Sequence, residues 1–88
     1  MNIQFVRNIQ FTRVIKAHQR LREFNFLKHN VEPYCYFSVD TVDDRGNRIT
    51  FRMFDSNGKW RIKEVPVIPE WIYEEEPKLH NVIMEETL

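Results

Sequence analysis

The chain has 88 residues, with 13 basic and 13 acidic side chains and a single cysteine. That length predicts one small α+β domain, residues 1–88, burying roughly 60% of its unfolded surface, so stability is modest and self-association is a live option. One cysteine excludes a disulfide framework and a zinc cluster built on cysteine pairs, and no apolar run approaches the ~18 residues of a membrane span.

The first residues, MNIQFVRNIQF, lack the charged region and apolar core of a signal peptide, so the expectation is a soluble, cytoplasmic protein. The net charge of zero is unevenly spread: +5 over residues 1–30, +1 over 31–63 and −6 over 64–88. Either a basic first segment packs against an acidic last one, or the two ends are steering surfaces for a partner.

Ile3 to Ile9 is echoed by Ile9 to Ile15, a period too short for a solenoid unit. From Phe11 a helical spacing competes with this extended pattern, through Phe11, Val14, Ile15, His18 and Leu21. The reading is a short helix over about residues 10–20, with Asn8 as N-cap and Arg13, Lys16 and Arg20 on its exposed side. His18 then sits on the apolar side, and residues 1–9 fray or form an edge strand. From Leu21 to His29 the period changes to two, predicting a first strand that pairs with one starting near Tyr34. Asn30 to Pro33 connects them, with Pro33 biasing Glu32 toward extended backbone.

Tyr34 to Lys63 reads as three antiparallel strands. Alternation places Cys35, Phe37, Val39, Ile49, Phe51, Met53, Trp60 and Ile62 on an apolar side. Tyr34, Tyr36, Asp40, Thr50, Arg52, Phe54, Arg61 and Lys63 fall on the other. Asp43–Asn47 and Asp55–Gly58 are hairpin connectors carrying Gly, Asp and Asn. Val65-Pro66-Val67-Ile68-Pro69 ends the sheet, since each proline removes a ladder donor. Pro69 at the first helical position opens a turn over about 69–75, and a second helix follows over about 77–87. Glu74, Glu75 and Glu76 lie near its N-terminus, where negative charge is favourable.

The sum is α+β: an N-terminal helix, a four-stranded antiparallel meander and a C-terminal helix packed on one sheet face. That order resembles the topology of double-stranded RNA-binding domains. The family carries a basic cluster at the start of its last helix, whereas Trp71 to Glu76 is acidic here, so no functional residue is carried over.

No catalytic, cofactor or metal site is expected. His18, His29 and His80 fall in no ligand spacing, and Cys35 is read as an inert core thiol. His80 is expected on the exposed side of its helix. Ser38 and Ser56 lack a nucleophile elbow, the turn aspartates serve backbone geometry, and Gly46 and Gly58 form no phosphate loop. The surface that stands out is the outer sheet side. Tyr36, Arg52, Phe54, Arg61 and Lys63 make an aromatic and basic patch, the composition that dominates interface energetics. The expected function is a non-enzymatic protein-interaction domain, self-association included, using that patch. The alternative is single-stranded RNA or DNA binding through the same face, with rings for bases and cations for phosphates. Zero net charge counts against it. A small enzyme or ligand-binding fold is the third reading, disfavoured because so short a chain leaves little room for a cleft.

Overall fold

The computed structural model describes residues 9–31, 34–63 and 67–87. Five strands, β1 (Gln10–Ala17), β2 (Arg20–Val31), β3 (Tyr34–Val42), β4 (Arg48–Ser56) and β5 (Lys59–Lys63), form an antiparallel meander in chain order. Two helices follow, α1 (Glu70–Glu74) and α2 (Glu76–Glu86). The α+β class stands. The N-terminal helix does not: residues 10–17 are a fifth strand, and the helix-first order behind the resemblance to double-stranded RNA-binding domains is absent.

The reason lies in where the apolar side chains of β1 and the start of β2 go. Ile15 and Ala17 are buried on the inner face, whereas Val14 and Leu21 are 62% and 74% exposed on the outer one. The apparent helical stripe is therefore split between two sheet faces. Phe11, Thr12, Val14 and Ile15 are β-branched or aromatic, which suits a pleated strand. The chain reverses at His18-Gln19, both at positive φ (51° and 67°), the backbone of a two-residue hairpin turn. His18 thus stands in a turn rather than on a helix. The Asn8 cap, the start of the six-residue repeat, Pro33, Val65 and Pro66 lie outside the described residues.

The strands from Tyr34 to Lys63 sort their side chains as the alternation predicts, Cys35 apart in its exposure. Phe37 faces Met53 and Val39 faces Phe51 across β3 and β4, and Met53 faces Ile62 on β5. Phe24, Phe26, Phe37, Val39, Phe51 and Met53 are buried beneath Ile72, Leu79 and Ile83 of the helices. Ile49 and Trp60 pack half-buried against that cluster. Asp43 closes the β3–β4 connector by accepting the backbone N–H groups of Arg45 and Asn47 at 2.9 and 2.8 Å. Asn57-Gly58, at φ 53° and 86°, makes the β4–β5 turn.

Cys35 is exposed rather than buried, 3.8 Å from the Asn30 side-chain oxygen. It shares the inner side with Phe37, but β2 and β3 outrun their cover. Twelve residues of strand span about 40 Å, whereas eleven of helix span about 16 Å. The molecule is accordingly 51 Å long and 24 Å wide. Pro69 is the N-cap of α1 rather than its first helical residue, and Pro77 occupies the first turn of α2, where no donor is lost.

Helix α2 lies along the opening between the two outermost strands. The Trp60 N–H of β5 donates to His80 Nδ1 at 3.0 Å, and the Ile62 N–H donates to Glu76 Oε2 at 3.0 Å. On the other side Lys78 Nζ donates to the Lys16 carbonyl of β1 at 2.8 Å. Arg13 pairs with Glu85 and Glu86 at 2.9 and 3.2 Å. The basic first segment and the acidic last one therefore meet within the fold. Lys78 also sits 2.9 Å from Oε2 of buried Glu75 and supplies its counter-charge.

Candidate functional site: the outer sheet face

With α2 and α1 on the inner side, no described element lies over the outer face. The register sets a row across four strands there: His29 of β2 opposite Tyr36 of β3, Tyr36 opposite Phe54 of β4, and Phe54 opposite Arg61 of β5. His29 stacks on Tyr36 with centroids 4.5 Å apart and planes 13° apart. Phe54 follows at 5.2 Å, tilted by 31°. The Arg52 guanidinium carbon lies 4.8 Å from the Tyr36 ring centre. Because His29 comes from β2 and Arg52 from β4, the two faces of Tyr36 are covered from opposite sides.

Of the expected patch, Tyr36, Arg52 and Phe54 are brought into contact. Lys63 lies directly opposite Arg52, exposed, and Arg61 leans around the sheet margin to within 3.8 Å of Glu76. His29 is the member that sequence reasoning missed. It entered that reasoning as the end of the first strand and as a rejected metal ligand, yet its place opposite Tyr36 follows once β2 pairs with β3. It also contacts the Ser38 hydroxyl.

The expected basic stripe of Arg13, Lys16 and Arg20 does not form. Arg13 turns inward to Glu85 and Glu86, whose hydrogen bonds raise its pKa further, and Arg20 reaches Asp44 at 3.4 Å. The middle of the outer face is a polar relay instead. The Thr12 hydroxyl donates to Asn25 Oδ1 at 2.7 Å, and Asn25 Nδ2 donates to Asp40 Oδ1 at 2.9 Å. Arg48 pairs with the same Asp40 oxygen at 3.2 Å.

At the hairpin end Arg22 is buried, 3.0 Å from Asp44, whose carboxyl it holds below the usual carboxylate range. His80, expected on an exposed helix side, is half-buried and committed to Trp60. A cleft of about 280 Å³ opens there, lined by Trp60, Arg61, Glu76, His80 and Asn81. It is smaller than the usual ~300–1,000 Å³ of ligand pockets, and its Glu and His side chains already serve the backbone. Among the described residues no three His, Cys, Asp or Glu side chains are gathered to hold a metal. No described helix is long and apolar enough to cross a membrane.

No protein family, no curated protein and no solved structure matches this chain. The outer face therefore has to be interpreted from its own chemistry.

Proposed function

We propose that this chain is a small non-enzymatic interaction domain that engages a protein partner, a second copy included, through the outer sheet face around Tyr36, Arg52, Phe54, Arg61 and Lys63. The observation that carries this reading is the open row itself. A five-stranded sheet with its helices on one side leaves exposed cations and partly exposed rings on the other, and such groups supply interface anchors. The alternative, base stacking on the same face, is weakened by the Tyr36 geometry. Its ring is enclosed by His29 and Arg52, so a base has no free face of Tyr36 to lie on.

The test is capture from native cells with the wild-type chain and with Arg52→Glu/Arg61→Glu. Both side chains are exposed, and a thermal melt of the variant confirms its fold before capture, since it loses the Arg52–Tyr36 contact and the Arg61–Glu76 pair. A partner held by the wild type and released by the folded variant supports the reading. An identical set of captured proteins on both baits would sink it.

A further inference from the structure

Net charge conceals a strong local field. On the outer face, β4 and β5 present Arg48, Arg52, Lys59, Arg61 and Lys63 and no acidic side chain, because Asp55 falls on the inner side by alternation. Arg48 is matched by Asp40 and Arg61 loosely by Glu76, but Arg52, Lys59 and Lys63 have no ion-pair partner among the described residues. Arg52 and Lys63 stand directly opposite one another. Like charges in that position destabilise a sheet, and no carboxylate among the described residues offsets the pair, although Arg52 also lies over the Tyr36 ring.

From this basic ladder we infer that the partner is an acidic polypeptide segment, bound extended across the outer face of β4 and β5; the inference rests on the proposed interaction role of that face. Lys59, Arg61 and Lys63 recur at every second residue, a spacing of about 6.6 Å along the strand. An extended segment with Asp or Glu at every second position has the same repeat, so successive carboxylates meet successive cations. The segment cannot simply add as a further strand at β5, because the Trp60 and Ile62 donors are already taken by His80 and Glu76. Recognition therefore falls to side chains, with Arg52 and the rings of Tyr36 and Phe54 bordering the ladder. A polyanion read by base stacking fits less well, since Tyr36 is enclosed on both faces.

The experiment titrates the full chain with three labelled probes at low salt: an alternating Glu-Thr peptide, a peptide of the same composition with its glutamates in one block, and a single-stranded oligothymidine of matching charge. The alternating peptide is expected to bind roughly tenfold or more tighter than the block peptide, to weaken as salt rises, and to be lost in Lys59→Glu/Lys63→Glu. Both lysines are exposed, and a thermal melt of the variant confirms its fold. Equal binding of the two peptides overturns the inference, because bulk attraction then suffices. Tighter binding of the oligonucleotide, lost in the same variant, also overturns it while leaving the outer face as the binding surface. Absence of binding by every probe overturns it too, and the capture experiment with Arg52→Glu/Arg61→Glu then decides the broader reading separately. Should the lysine variant misfold, the difference between the two peptides on the wild type still decides.

Discussion

The Arg22 guanidinium lies 4.5 Å from the Trp71 ring centre, joining the first hairpin to the first helix. The same side chain donates from Nε to the Ala17 carbonyl at 2.9 Å and pairs with Asp44 in the β3–β4 connector. His18 stacks on the other partner of this contact, with centroids 5.7 Å from Trp71. One buried cation thus ties two turns and a helix together. Arg22→Ala removes a charged hydrogen bond, a desolvated cation–π contact and half an ion pair, a loss of about 3 kcal/mol. Arg22→Lys recovers little, because a point charge cannot donate sideways and stack at once. Urea unfolding midpoints of the two variants check this.

The caps on β5 give a second prediction. Replacing His80 by Phe keeps a ring of similar bulk but leaves the Trp60 N–H without its acceptor, a cost of about 1–3 kcal/mol. Glu76→Gln keeps an oxygen for the Ile62 N–H and is expected to cost less. Amide hydrogen exchange reads each site: Trp60 loses protection in the first variant, and Ile62 keeps most of it in the second.

Acid sensitivity should centre on the β3–β4 connector. The Asn47 backbone N–H lowers the Asp43 pKa, and the Arg22 hydrogen bond lowers that of Asp44. A carboxyl whose folded value is depressed contributes stability above its unfolded value of about 3.9, and that contribution fades as pH falls through the lower folded value. Melting temperature is therefore expected to drop as pH falls below about 4 in the wild type. The drop should be shallower in Asp43→Asn/Asp44→Asn, which begins from a lower plateau. Parallel curves for the two proteins would contradict the assignment.

Gln19 holds φ at 67° in the β1–β2 turn, a region that a side chain occupies at a cost of about 1 kcal/mol or more. Gln19→Gly relieves it. Thermal melts should show a stabilised variant, by up to about 1 kcal/mol once the extra freedom of unfolded glycine is subtracted.

How far the fold was legible follows from which turns announce themselves. Asp43–Asn47 and Asn57-Gly58 carry glycines at positive φ beside Asp and Asn, so the β3–β4–β5 register was readable, and with it the Tyr36–Phe54 pair. His18-Gln19 adopts the same left-handed backbone without the Asn-Gly or Asp-Gly pair that marks such a turn, so β1 and the turn after it were read as a helix. Val14 and Leu21, apolar yet outward, completed the error by imitating a helical stripe. His29 was missed although its strand and that strand's pairing with β3 were expected, because the outer row was assigned only from Tyr34 onward and was not carried across to β2. Arg22 gave no signal, because its burial depends on Trp71, Ala17 and Asp44 arriving from three separate parts of the chain. The prolines, by contrast, marked the helix breaks to within a residue or so.

Helix α2 follows every strand in chain order, yet its side chains finish both margins of the sheet. During synthesis the meander emerges before Glu76, Lys78 and His80 exist to complete it. For that interval the Trp60 and Ile62 donors and the phenylalanines of the inner side lie bare, the kind of surface on which nascent chains stick to one another. Ribosome-bound intermediates that stop short of residue 76 should therefore depend on chaperones far more than the finished chain does.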